Sequence, residues 1–449
     1  MEDKMEKTNI TTDKLDYYQQ LGIDTSKDRF YKRYENGLLD NIDEEYINEI
    51  QQYYKKHYQT SIDPITHITF TNLTGIKDVR ILPEKIFRKQ LLRVFNDNPL
   101  TDIYRDKALY DILFDTPNQA YNVIKRIRGQ YYSHDNTPIS YNEMFTILMN
   151  DSNEYIIKPS DTNNGIGIKK LIVKNNDLTI DGQVLDTTIL DQEYGYNFVI
   201  QRLIKQHEDM AYLHPSSVNT LRMATMRWNN NIENIYTFAR FGHSGDIKDN
   251  AGAGGVVVGV KDNGEFMDYG VQDSKIIDRH PTTNIKIKEL TSVPNYDEAK
   301  AFVRELHSKI LHHNYVAWDI SIDRNGVPIY IECNFFGNSW TNQIALQQPM
   351  LGERTEEVLE FIAENKKKVS KLDTKSLARK NRVRARNKQS KLQNDIIESN
   401  NKLKREKEKR KILKKQLKTI ESENSILYGD INRIKNSRSW RYTRLLRKK

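Results

Sequence analysis

The sequence predicts an α+β fold with largely antiparallel sheets, preceded by a helical region and followed by a basic helical tail. Three features carry that expectation. Short β-prone runs broken by Gly, Asn and Asp turns fill residues 120–350, among them "YIIKP", "IKKLIVK", "NFVIQRLI", "TLRMATMRW", "IYTFARFG" and "GGVVVGV". A helical run, "DEAKAFVRELHSKILHHN", interrupts them, which is the mixture of an α+β domain. Beyond residue 363 the chain has no Pro and one Gly, and an apolar heptad emerges.

Taken in order, residues 1–95 read as an N-terminal helical region. Up to about residue 60 it is polar, rich in Tyr, Asp and Lys, and weakly periodic. The periodicity then strengthens. "ILPEKIFRKQLLRVFNDN" aligns Leu91, Leu92 and Phe95, and "DIYRDKALYDILFD" aligns Leu109, Ile112 and Leu113 as apolar faces. Residues 96–363 form the central domain and 364–449 the tail. In the tail, steps of four and three run from Leu392 through Ile396, Ser399, Leu403, Glu406, Arg410, Leu413, Leu417, Ile420, Asn424, Leu427 and Ile431 to Ile434. Nine of these thirteen positions are apolar, and Asn424 falls where one polar residue can set register in a coiled coil. A single solvated helix is the alternative, supported by Glu406, Arg410 and Gly429.

Charge is distributed unevenly. The tail carries 30 Lys/Arg against 9 Asp/Glu, net +21, whereas the rest is net −12. A mildly acidic body argues against a nucleic-acid-binding domain there, because such a domain presents a basic face. The single cysteine, Cys333, excludes an internal disulfide framework and disfavours a Cys-based zinc site. The first residues, "MEDKMEKTNITTDK", hold no apolar signal region, and no run of about 18 apolar residues occurs. A soluble protein in a reducing cytoplasm is the expectation.

Four stretches carry candidate chemistry. In "VAWDISIDRNGVPIYIECN", residues 316–334, Asn325-Gly326 suits a two-residue type I′ hairpin turn. Pairing counted back from that turn sets Ile322 against Ile329, Ile320 against Ile331 and Trp318 against Cys333. On the other face Asp319 falls opposite Glu332, with Asn334 on the diagonal. Like charges so opposed destabilise a sheet, whereas a hard divalent cation such as Mg²⁺ turns the repulsion into coordination. In "EYIIKPSDTNNGIGIKKLIV", Lys158 ends a strand and Gly165 and Gly167 allow backbone N–H groups to approach an anion. Taken alone, a flexible hairpin loop is the better reading of that stretch. "FVIQRLIKQHED" leads from a strand through Gln201 into a connector that can present backbone groups to a purine edge, although in isolation an ordinary strand exit is the better reading. Arg222 and Arg240 lie on strands, and Asp249 and Asn250 precede glycines 252, 254 and 255; arginine's fork suits phosphate.

In this order the motifs resemble the ATP-grasp superfamily over residues 100–350. Lys107 in "RDKALYDIL" and Lys158 match its two phosphate lysines. Gln201, Arg202 and Ile204 match the hinge, Glu208 the ribose-binding acid, and Asp319, Glu332 and Asn334 the terminal "D…G…yllEvN" metal set. "IQRLIKQH", "SVNTLRMAT", "HSGDIKDNAGAGG", "DRHPTT" and "HHNYVAWDISIDRNGVPIYIECN" resemble the sugar-transfer-associated ATP-grasp family, associated with cell-surface polysaccharide synthesis. The terminal "SRSWRYTRLLRK" resembles tails of bacterial surface-glycan glycosyltransferases. One departure stands out: Ala317 occupies the position, two before Asp319, where many ligases carry an Arg.

The resemblance implies ATP gripped between two subdomains, a lid at about 120–205 and a metal-binding part at about 206–363. It implies ATP and Mg²⁺ as cofactors, with Lys107, Lys158, Gly165 and Gly167 on the phosphates. Arg240, with Asn250, Gly254 and Gly255, is the first choice for holding the transferring group; Arg222 and His280 come second. The implied activity is carboxylate activation through an acyl phosphate, followed by attack of an amine or hydroxyl. A phosphotransferase of the same fold and a non-catalytic scaffold are the alternatives. The implied partners are a small-molecule or lipid-linked glycan acceptor, a second copy or a glycosyltransferase through residues 392–434, and an anionic membrane surface through the tail. Nucleic acid is the weaker partner, since no base-reading module accompanies the tail.

Overall fold

Among the described residues, the β-prone runs assemble into two antiparallel sheets. The computed structural model describes residues 10–97, 100–151, 154–162, 165, 167–174, 177–180, 182–244 and 254–443, with backbone alone over much of 366–408 and for 441–443. The chain divides into two units at Val369/Ser370.

Eight strands make the first sheet: β1 (Asn122–Ile127), β2 (Gln130–Ser133), β3 (Pro138–Ile139), β4 (Tyr155–Pro159), β5 (Lys169–Lys174), β6 (Asp177–Ile180), β7 (Gln183–Val184) and β8 (Phe198–Arg202). Their order is β3-β2-β1-β8-β4-β5-β6-β7. A helix over Tyr141–Asn150 covers one face, burying Met144 and Leu148 against Tyr155, Ile157 and Phe198. Its start is set by a capping box: Ser140 Oγ accepts from Glu143 N at 3.3 Å, and Ser140 N donates to the Glu143 carboxylate at 2.7 Å.

Seven strands make the second: β9 (Thr220–Trp228), β10 (Asn231–Phe241), β11 (Val256–Val260), β12 (Phe266–Gln272), β13 (Lys275–Ile277), β14 (Tyr315–Ile322) and β15 (Pro328–Asn334), ordered β13-β12-β11-β10-β9-β14-β15. Strand alternation sorts β14 between two cores. Val316, Trp318, Ile320 and Ile322 face the helix Tyr296–Ser308 and the aromatic rings of Phe114 and Tyr330. Tyr315 and Ala317 face the opposite way, under Phe87 and Leu91. Asp319 shares that second face, one step beyond the cover.

The N-terminal region is more ordered than its weak periodicity suggests. Helices over Thr12–Gln20, Asp28–Glu35, Glu44–Tyr58 and Ile65–Thr74 bury Tyr18, Phe30, Ile47, Ile65 and Ile68 together. Tyrosines do much of this packing, so an apolar/polar reading undercounts the core. Tyr54, fully buried, satisfies its hydroxyl on the Ile81 carbonyl at 2.7 Å. Leu91, Leu92 and Phe95 are buried as expected, on a helix that passes through a π-turn at Phe87–Leu91. Ile112 is not: it is 62% exposed, and Tyr110 and Phe114 point inward instead. A 3₁₀ turn at Lys107–Leu109 precedes the helix Tyr110–Phe114 and shifts its phase.

The hairpin turn also differs from expectation. Asp323 pairs with Val327 across a three-residue loop, and only Gly326 (φ +82°) is left-handed, so the turn is not type I′. That longer loop offsets the apolar pairs by one: Ile322 meets Pro328, Ser321 meets Ile329, and Ile320 meets Tyr330. A β-bulge at Ile331 then resets the register, and Asp319 stands opposite Glu332 with Trp318 opposite Cys333.

A helix recorded over Thr355–Asn436 buries Val358, Leu359 and Ile362 in its first turns. In the second unit, Leu403, Leu413, Leu417, Ile420, Leu427, Ile431 and Ile434 are exposed along it.

Candidate active site

The open part of the second sheet's face carries a row of charge. Arg222 on β9 is directly opposite Asp319 on β14, which is directly opposite Glu332 on β15. Arg222 donates to Asp319 from Nε and, at 3.1 Å, from Nη2. Arg240, on β10, adds Nη2 to Asp319 Oδ2 at 2.9 Å and holds the Thr220 hydroxyl at 3.1 and 2.7 Å. Burial alone would push the Asp319 carboxyl up; the two guanidiniums more than offset it and hold it at about 2. Burial likewise opposes the Arg222 charge, and Asp319 restores it.

The lysines approach from the other side. Asp106 caps the turn that carries Lys107, whose Nζ donates to the Thr162 carbonyl at 2.7 Å and lies 3.4 Å from Glu332 Oε2. Lys158, at the end of β4, is 3% exposed. Burial, and then the like charge of Lys107, push it down to about 7 against the pull of Glu332 and Asp319. An anion placed between the two lysines would restore its charge.

All these groups open into one cavity of about 860 Å³. Lys107, Lys158, Gly165, Gln201, Arg202, Ile204, Arg222, Arg240, Asp319, Glu332 and Asn334 line it. Gly167 does not line it but keeps the loop close to β4, since a Cβ there would stand 2.8 Å from the Pro159 ring. Gln201 donates to Asn122 at 2.8 Å while its Oε1 is buried without a partner, an acceptor fit for the amino group of a purine. Two carboxylates and the Asn334 amide form an oxygen donor set that fits Mg²⁺.

Other expected residues stand elsewhere. Glu208 is exposed on the first turn of a short helix and does not line the cavity. Neither Gly254 nor Gly255 lines it; Gly254 packs on the His243 ring, and its carbonyl accepts from Gln272 at 2.6 Å. Asn250 lies outside the described residues. His280 is buried on the Gly242 carbonyl at 2.8 Å, a structural tie. Arg202 turns its guanidinium to Asp151 at 3.0 Å and over the Tyr121 ring. Thr220, Ile331, Arg88 and Phe336 line the cavity unforeseen. Alternation from Arg222 could have found Thr220, whereas Ile331 depends on the bulge and Arg88 on the π-turn.

A search of the curated proteins returns no match. Among solved structures, the chain is similar to the biotin carboxylase domain of the Hydrogenobacter thermophilus 2-oxoglutarate carboxylase (10% identity, 57% of this chain, 48% of that one, TM-score 0.32). It is also similar to an L-amino acid ligase from Bacillus licheniformis (10%, 57% and 48%, 0.30) and the D-alanine–D-alanine ligase of Bacillus anthracis (11%, 62% and 72%, 0.35). The chain spans about half the length of the first two. Residues 86–359, more than half of the chain, match the model of the sugar-transfer associated ATP-grasp family. The chain therefore belongs to that family.

Proposed function

We propose that the protein activates a carboxylate with ATP and transfers the acyl group to an amine or hydroxyl during surface-glycan assembly. The observation that carries this reading is the convergence of Asp319, Glu332, Asn334, Lys107, Lys158, Arg222 and Arg240 on one cavity. A carboxylate oxygen attacks the γ-phosphorus, the bond to the β-phosphate oxygen breaks, and ADP leaves with the electron pair. The amine or hydroxyl then attacks the acyl carbon, phosphate departs with the bonding electrons, and the nucleophile loses its proton. Lys107 and Lys158 neutralise the phosphates, and Arg240 and Arg222 face the phosphoryl group in flight. Asp319, Glu332 and Asn334 would hold Mg²⁺, which when bound would supply neutralising charge to the phosphates. Gly165, which lines the cavity, is assigned to a lid that keeps water from the acyl phosphate.

We assign residues 1–95 to a helical extension, 96–363 to the catalytic domain and 364–449 to the tail. We assign the tail to pairing with a second copy through its exposed seam. Its net +21 charge suits the anionic inner surface of a membrane, worth ~1 kcal/mol per Lys or Arg near the lipid. Among the described residues no helix is long and apolar enough to cross one.

Single-turnover ATP consumption against carboxylated sugars and amino acids, with and without lipid-linked glycan precursors, tests the activity. ADP with an amide or ester product supports it. A stable phosphorylated acceptor would make the protein a phosphotransferase, and failure to bind MgATP would leave a scaffold.

A further inference from the structure

Strand β15 gives the cavity a direction. At the hairpin's turn, Arg324 N donates to the Lys205 carbonyl and His207 N to that of Ile322, both at 2.9 Å, which fastens the hinge to that end. From there β15 passes Ile331, Glu332 and Asn334, about 10 Å of strand, and the chain continues as Phe336-Gly337-Asn338 along the far end of the cavity. A nucleotide with its base at the hinge and its phosphates at the carboxylates therefore leaves this far end for the second substrate.

Two side chains there have little structural employment. Phe336 is 47% exposed although it lines a cavity, so its ring presents an uncovered apolar face. Arg88, 58% exposed at the side chain, makes one ion pair among the described residues, to Glu84 at 3.4 Å. Glu84 is already committed to Ser339, accepting from its N at 3.0 Å and its Oγ at 3.2 Å. It therefore steers Arg88 without consuming its fork of donors. The π-turn at Phe87–Leu91 carries Arg88 on the outer side of a helix whose Ile86, Phe87, Leu91 and Leu92 are buried, and such turns recur at functional sites. Phe336 reaches the same cavity from a neighbouring segment, whose Gly337 packs where a Cβ would come within 3.1 Å of the Phe87 ring and 2.9 Å of Tyr315 Oη.

Building on the nucleotide-site reading above, we propose that this end is the acceptor subsite and takes a carboxylated sugar. Arg88 pairs with the carboxylate, and the Phe336 ring lies against the C–H face of the pyranose. An uncharged hexose would keep the ring contact and leave Arg88 unanswered, so the subsite selects acidic sugars.

The test uses the full-length chain with Mg²⁺ and the β,γ-imido analogue of ATP, titrated with glucuronate and, separately, glucose. Glucuronate should bind about tenfold tighter than glucose, the worth of a charge-assisted hydrogen-bonded pair. Arg88→Ala should erase that preference and Arg88→Lys restore part of it. Phe336→Ala should weaken both sugars, and none of the three should alter nucleotide affinity. Nucleotide binding without glucuronate binding, or an unchanged preference in Arg88→Ala, overturns the subsite and leaves the nucleotide reading standing. Loss of nucleotide binding by the unmodified chain overturns both.

Discussion

Arg222 stands directly opposite Asp319 on neighbouring strands and grips it through two guanidinium nitrogens, while Arg240 takes the same carboxylate from the next strand but one. The pairing explains how a sheet tolerates Asp319 against Glu332: the anionic pair continues into a cationic one. It also means that the two carboxylates are not equivalent to mutation. Asp319→Ala would strip the largely buried Arg222 of its carboxylate and remove one partner of Arg240, with an expected loss of about 3–5 kcal/mol by urea unfolding. Glu332→Gln keeps an oxygen to accept from Asn334 and weakens the pair with Lys107, which still donates to the Thr162 carbonyl, so it should stay within about 1 kcal/mol of the parent. Yet its ATP turnover should fall about 100-fold or more. A Glu332→Gln enzyme that turns over at the parental rate would refute the metal assignment.

The same ion pairs fix an acid dependence. With its carboxyl held at about 2 in the fold against an ordinary 3.8, Asp319 is a group whose folded value is depressed. The stability it contributes is present above about pH 4 and is lost as pH falls through about 2, amounting to about 2 kcal/mol. Urea midpoints collected between pH 5 and pH 2 should decline in the parent and decline less steeply in Asp319→Asn. Parallel curves would place the acid sensitivity in other carboxylates.

Lys158 works in the opposite direction. Burial and Lys107 hold it at about 7, so above neutral pH the empty site is largely neutral at that nitrogen. Polyphosphate stabilises the ammonium form and draws a proton from solvent. Calorimetry of MgADP binding at pH 8, in buffers of differing ionisation enthalpy, should report proton uptake. The uptake should shrink towards pH 6, where Lys158 is already charged, and vanish in Lys158→Met. Equal uptake in Lys158→Met would assign the proton elsewhere.

The opposition of Asp319 and Glu332 was legible in the sequence for a reason that proved different in detail. Counting from a two-residue turn reached the right pair, but the true loop is one residue longer and the Ile331 bulge removes the offset. Neither feature has a signature in residue types, because Asn-Gly suits both turns and a bulge shows only in pairing. Lys158 and the arginines line the cavity from a strand end and one strand face, positions that alternation can find, whereas Lys107, on a 3₁₀ turn, came from the family resemblance alone. Glu208 was placed by its spacing beyond the hinge, and Gly254 and Gly255 by the N–H donors of a glycine cluster after Asp249-Asn250; neither determines where a loop points. Ile112 failed for the related reason that a 3₁₀ turn changes helical phase without a residue to announce it.

The tail offers a prediction in which two effects oppose. Leu413, Leu417 and Ile420 are 63%, 57% and 53% exposed on the long helix, and burying each fully would contribute ~1.5–3 kcal/mol. Against this, two tails of net +21 repel one another, over a range of about 8 Å at physiological ionic strength. Seam burial should prevail, and added salt should help it by screening the repulsion. Sedimentation equilibrium of the full-length chain should show a dimer that tightens from 0.05 to 0.5 M NaCl. The double variant Leu413→Lys with Ile420→Lys should be monomeric, with ATP turnover per chain retained. Dimers that dissociate as salt rises would implicate ionic contacts outside the seam, and a monomer at both salt concentrations would rule the pairing out.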